Sequence, residues 1–157
     1  MKLYLVQHAE AKSKEEDPDR SLTKEGQRNA KAVAVLAAKL GLGVMQVRHS
    51  GKTRAEQTAT ILAEEVHPRQ GILARTDMGP LDDVAPVAAE LTESGESVML
   101  VGHLPFMERL AGQLVVQDPE RPVVSFRNAS IVCLTKNEEH WQVSWILTPE
   151  MALASSE

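Results

Sequence analysis

Short apolar runs alternate with segments of helical period through the first two-thirds of the chain, and this alternation sets the class of fold. The runs Leu3-Tyr4-Leu5-Val6, Val44-Met45-Gln46-Val47 and Val98-Met99-Leu100-Val101 read as strands buried on both faces. Between the first two, residues 27–40 place Ala32, Val33, Leu36, Ala37 and Leu40 at helical spacing. Thr23 is the candidate N-cap of that helix, and Gly41 follows it as a stop. Residues 53–66 repeat the pattern at Ala55, Thr58, Ala59, Leu62 and Ala63, ending before Pro68. A short strand is expected over 71–73, a helix over 83–93 with Pro86 in its first turn, and another helix over 105–115. The end of the chain differs. Residues 130–135 and 141–146 are β-rich and flank Lys136-Asn137-Glu138-Glu139-His140, which reads as a hairpin. The pattern predicts an α/β protein: a three-layer α/β/α sandwich with a mainly parallel central sheet and an antiparallel edge strand, as one domain over 1–157.

The formal net charge of -5 argues against general nucleic-acid binding, which needs a basic stripe. An anion site in this chain must therefore be a local cluster of cations. No run approaches the ~18 apolar residues of a membrane span, and the four-residue apolar run near the N-terminus is too short for a secretory leader. A soluble cytoplasmic protein is expected. Cys133, inside an apolar run, reads as a buried small residue, and a single thiol forms no internal disulfide. No His, Cys, Asp and Glu spacing suggests a metal site, so neither metal nor cofactor is expected.

His8 and His103 directly follow the first and last of the three apolar runs, while Ser50, Lys52 and Arg54 follow the second. Ligands of open α/β sheets bind outside the carboxyl ends of the strands, where these deliveries can meet. A neutral imidazole held in one tautomer is a competent nucleophile towards phosphorus. A guanidinium at a helix start offers a planar fork matched to phosphate oxygens, beside free N–H groups. Ser50 could add a hydrogen bond, and a protonated His103 at the next helix start would stabilise charge on a transferring group. Each has a plainer reading: hydrogen-bonded structural histidines, and a salt bridge from Arg54 to Glu56 or Glu25. The polar stretch 9–20, with Glu15-Glu16-Asp17-Pro18-Asp19, reads as a solvated loop or as a rim over the site.

Four motifs in order resemble the histidine phosphatase superfamily, the phosphoglycerate-mutase-like group, and most of all its short phosphohistidine phosphatase branch. Gln7-His8-Ala9 corresponds to the family's Arg-His-Gly, and Arg20-Ser21-Leu22-Thr23-Lys24-Glu25-Gly26 to Arg-x-Leu-Thr-x-x-Gly. Ser50 to Ala59 is similar to Ser-x-x-x-Arg-Ala-x-Gln-Thr-Ala, and Val101-Gly102-His103 to the second histidine motif. The resemblance implies a metal-independent phosphatase in which His8 accepts the phosphoryl group. It implies that Arg54 and His103 neutralise that group, with Arg20, Gln7 and Ser50 as further phosphate contacts. Asp82 and Asp83 fall where some members carry a general acid, although a helix N-cap is the commoner work of such a residue. The implied partner is a protein phosphorylated on histidine, with a small phosphorylated substrate as the alternative, and with neither nucleic acid nor membrane involved. Two departures stand out. Ala9 replaces glycine, which matters only if the backbone needs positive φ. Gln7 replaces arginine, losing the charge and the fork; the remaining alternative is a weakened phosphoanion-binding module.

Overall fold

The computed structural model describes residues 1–156. Six strands form one sheet in the order β3-β2-β4-β1-β5-β6. They are β1 (Lys2–Gln7), β2 (Gln46–His49), β3 (Ile72–Ala74), β4 (Val98–Gly102), β5 (Ile131–Lys136) and β6 (Trp141–Leu147). The pairs β1–β4, β2–β4 and β2–β3 are parallel. β5 runs against β1, and the edge strand β6 pairs antiparallel with β5. The sheet is thus mostly parallel with an antiparallel edge, as the hairpin signal predicts.

Alternation along β1 separates two cores. Leu3 and Leu5 pack with Leu100, Phe106 and Leu110 on one face; Tyr4 and Val6 pack with Val33, Ala59 and Val101 on the other. The first face is covered by α3 (Ala85–Ser94) and α4 (Phe106–Val116), the second by α1 (Lys24–Lys39), α2 (Thr53–Val66) and α5 (Pro149–Ser155). α2 spans the expected residues. α1 starts three residues before the apolar pattern does, directly after Thr23, whose side chain accepts from the Gly26 N–H.

Two differences have local causes. The second strand is shifted two residues towards the C-terminus and takes in Arg48 and His49, which their polarity assigns to a loop. Both are buried because both find partners. Arg48 Nε donates to Gln46 Oε1 at 2.8 Å, and its guanidinium reaches Glu90 on α3 at 3.4 Å. His49 Nδ1 accepts from the Gly51 N–H at 3.0 Å. The other difference is α5, which follows the hairpin. Thr148 caps it, Pro149 occupies its first turn and Ala152 is buried. The Thr-Pro pair is an N-terminal helix signal hidden by the shortness of the element.

Candidate functional site

The strand order places the site. β1 and β4 are parallel neighbours, yet β1 feeds α1 on one face and β4 feeds α4 on the other. In open α/β sheets, ligands bind at the carboxyl ends where successive connections diverge in this way. Register then sets the residues side by side. Gln7 pairs with Gly102, so His8 and His103 follow at the same level. His49 pairs with Val101, which brings Ser50 level with Gly102. The two imidazoles have ring centroids 5.2 Å apart.

His8 is held at every polar atom but one. Its N–H donates to the Gly102 carbonyl at 2.9 Å, and its carbonyl accepts from Asn128 Nδ2 at 2.9 Å. Nδ1 lies 2.7 Å from the Ala9 carbonyl. A carbonyl only accepts, so Nδ1 carries the proton and Nε2 keeps a bare lone pair. Burial lowers the His8 pKa from its ordinary value; the Ala9 carbonyl works against this, and Arg54 and Arg20 add to it. The ring is neutral at pH 7.

His103 is buried, and its Nε2 lies 2.6 Å from Ser50 Oγ. Burial first, then the neighbouring His8, Arg54, Lys52 and Arg20, push its pKa down to about 3. Among these cations the ring is neutral in the anion-free site, whereas the expected protonated form belongs to a site that holds a phosphoryl group. A dianion brought between them would reverse the electrostatic part of that shift. The Ser50 hydroxyl, expected to contact phosphate, is engaged with His103 in this structure.

Two guanidinium groups act on both histidines at this end of the molecule. Arg48 and Arg75 both meet Glu90, and Arg75 also meets Asp77 at 2.7 Å. Arg54 and Arg20 meet no carboxylate among the described residues. The salt-bridge reading of Arg54 is thereby set aside. Arg54 is the second residue of α2, its Nε is buried without a hydrogen-bond partner, and burial and Arg20 lower its pKa. Arg20 sits in the left-handed region with φ 50°, its Nε donating to the Lys12 carbonyl at 3.0 Å. Unpaired guanidinium groups beside two neutral imidazoles form a receptor for an anion.

Residues 3–77 match the family model of the histidine phosphatase superfamily (branch 1). The resemblance read from the motifs stands. The match takes in the first three histidine phosphatase motifs, and His103 lies beyond its end. The fold extends the likeness over nearly the whole chain. The structure of the protein histidine phosphatase SixA complexed with tungstate superposes with a TM-score of 0.83 at 24% identity, covering 95% of this chain and 97% of that one. A chain from Agrobacterium tumefaciens, provisionally assigned as phosphohistidine phosphatase SixA, gives a TM-score of 0.74 at 25% identity, covering 94% and 97%. The alpha-ribazole phosphatase of Shigella flexneri gives 0.77 at 14% identity, covering 95% and 97%. No curated protein matches the sequence.

The motifs also contain residues whose work is to join loops. Gln57 Oε1 accepts from the Leu22 N–H at 2.7 Å, tying the third motif to the second. Thr58 Oγ1 accepts from the Ala9 N–H at 2.9 Å and donates to the Arg54 carbonyl at 2.8 Å, tying the third to the first. Gly26 is needed because a Cβ there would lie 2.2 Å from the Glu10 carbonyl oxygen. The stretch 9–20 is a solvated loop, exposed at 13–16, but it is tied down by hydrogen bonds. Lys12 N donates to Ser21 O at 2.8 Å, Thr23 N to Glu10 O at 3.0 Å, and Ser21 and Asp17 are hydrogen-bonded through their side chains. Ala9 is absent from the residues with positive φ, so alanine serves there without strain.

Gln7 Oε1 is buried and unpartnered. Asp82 and Asp83 are exposed and locally occupied: Asp82 Oδ2 accepts from the Gly79 N–H at 2.7 Å, and Asp83 Oδ1 from the Ala85 N–H at 3.0 Å. Asn128, which holds the His8 carbonyl, escaped the sequence reading. It lies in an irregular segment with no motif of its own, and only its pairing with the His8 loop reveals it. Among the described residues no cluster of His, Cys, Asp and Glu could hold a metal, and no helix is long and apolar enough to cross a membrane.

Proposed function

We propose that this chain is a phosphatase working through a phosphohistidine intermediate on His8. The observation that carries the reading is the His8 Nδ1 contact with the Ala9 carbonyl, which leaves Nε2 bare and neutral beside guanidinium groups free of acid partners. Nε2 attacks phosphorus in line, forming a P–N bond as the bond to the leaving group breaks. The leaving group departs with that electron pair and takes up a proton. Arg54, Arg20, the Gln7 amide and His103 hold the non-bridging oxygens, where charge concentrates in the transition state. Water then attacks the phosphohistidine, and inorganic phosphate leaves while Nε2 regains its lone pair.

The preferred substrate is phosphohistidine on a partner protein. An imidazole leaving group is readily protonated, which suits a site whose candidate acids are engaged elsewhere. The likeness to an alpha-ribazole phosphatase favours the same chemistry on a small phosphomonoester as the second reading. The buried, unpartnered Gln7 carbonyl favours a third, a phosphoanion-binding module with little turnover. Incubation with labelled phosphoramidate tests the main reading: acid-labile, base-stable label on the wild-type protein, absent from His8→Ala. Phosphate binding without label selects the binding module. Higher kcat/KM on sugar phosphates than on phosphohistidine peptides selects the small substrate.

A further inference from the structure

Ser50 and His103 come from different strands, and the proton on their shared hydrogen bond has a determinate place. The hydroxyl accepts a long bond from the Lys52 N–H at 3.4 Å and lies 2.6 Å from His103 Nε2. If Nε2 carried the ring proton, it would donate to Ser50 Oγ, and the serine proton would have no acceptor within the protein. If the serine donates, its proton is used and Nε2 is the acceptor. The neutral ring then carries its own proton on Nδ1, the one ring nitrogen without a partner in the protein. Neutral imidazole offers one donor and one acceptor, so fixing one nitrogen fixes the other.

From this geometry we infer that Ser50 is a positioning residue, holding His103 as the neutral Nδ1–H tautomer so that Nδ1 donates to the phosphoryl group. The inference deepens the phosphatase reading, because it assigns what the second histidine offers the substrate. His103 acts as an uncharged donor, aimed by a hydroxyl that itself need not touch the substrate. His8 and His103 then present opposite faces of the same chemistry. Nδ1 carries the proton in both: in His8 because it donates to a carbonyl, in His103 because Nε2 accepts from a hydroxyl. The first ring is left with a lone pair on Nε2; the second is left with an N–H on Nδ1. The depressed basicity of His103 is in keeping with a ring that works without a charge.

Nitrogen-15 NMR on the histidine-labelled full chain tests this, since a protonated and a bare ring nitrogen have well-separated shifts. At neutral pH the His103 signals are expected to show a protonated Nδ1 in the wild type and in Ser50→Thr, which keeps the hydroxyl. Ser50→Ala is expected to move the ring to a mixture or to Nε2–H and to slow phosphoenzyme formation by roughly tenfold, the weight of one neutral hydrogen bond. Ser50→Thr is expected to restore most of that rate. Nε2–H in the wild type, or an unchanged tautomer in Ser50→Ala, overturns the assignment. The wild-type spectrum decides even if a variant fails to fold. Because the tautomer is read without turnover, a chain that shows Nδ1–H but forms no phosphoenzyme refutes the phosphatase reading alone.

Discussion

Thr58 accepts the Ala9 amide at 2.9 Å from the interior of a helix, one residue beyond His8. The same oxygen donates to the Arg54 carbonyl, so one fully buried hydroxyl bolts the histidine loop to the first turn of α2. Thr58→Val keeps the shape but leaves the Ala9 N–H buried without an acceptor. The expected loss is about 1–3 kcal/mol in urea unfolding, with phosphoenzyme formation falling further than a uniform loss of folded protein explains. Thr58→Ser keeps the hydroxyl and is expected to stay near wild type in rate.

Gln7→Arg is expected to raise turnover by about tenfold. A neutral hydrogen bond contributes roughly 0.5–1.5 kcal/mol and a charge-assisted one roughly 1.5–3, and 1.4 kcal/mol is a factor of ten. The substitution also removes a buried carbonyl oxygen that has no donor. Steady-state kcat/KM on a phosphoramidate is the measurement. A lower rate would mean that the pocket is rebuilt around the glutamine.

Most strands and helices, and the three main candidate residues of the site, were legible because each rests on a local signal. Apolar runs gave β1 and β4, and helical spacing gave α2. Polarity at the carboxyl ends of strands singled out His8, Arg54 and His103. What escaped depends on contacts distant in sequence. Arg48 is buried in a strand with its charge met by Glu90 on α3, far away in sequence. Asn128 matters only because it lies against His8, 120 residues away. The charge of His103 could not be read from its neighbours in sequence, since it follows from burial and from cations on other segments.

Stability should depend on pH through His103. Its folded-state pKa of about 3 lies below the ordinary 6.5, so between these values the unfolded chain binds the proton and the folded chain does not. Stability therefore rises with pH across that window, is fully present above about 6.5, and is lost as pH falls. Urea unfolding at about pH 5 against pH 7 should show the loss, and His103→Asn should show a smaller one. His8 is also depressed, by burial first, so its nucleophilic form persists below the ordinary imidazole range. The acid limb of kcat/KM is expected to fall there.

Gly26→Ala separates packing from helix propensity. Alanine inside a helix gains about 1 kcal/mol over glycine. Its Cβ would meet the Glu10 carbonyl oxygen at 2.2 Å, a backbone atom that cannot swing aside. The clash wins: a net loss of about 1–3 kcal/mol is expected, read by denaturant unfolding. Because Glu10 lies two residues from His8, phosphoenzyme formation should slow as well. Gly43→Ala, where a Cβ meets nothing within 4 Å, serves as the control.

Asp82→Asn and Asp83→Asn decide whether a carboxyl acid takes part. Both carboxylates accept local backbone N–H groups at 2.7 and 3.0 Å, and asparagine keeps an acceptor oxygen for each bond, so the loop should survive either change. General acid catalysis contributes about 10²–10⁴ in rate, far above the scatter of an assay. An imidazole leaving group supplies its own basic nitrogen and makes small demand on such an acid. On a phosphohistidine peptide both variants are therefore expected to turn over within about twofold of wild type, below any general-acid contribution. A fall of about a hundredfold in one of them would assign that aspartate as the proton donor. Its side chain would then have to leave its present hydrogen bond when substrate binds.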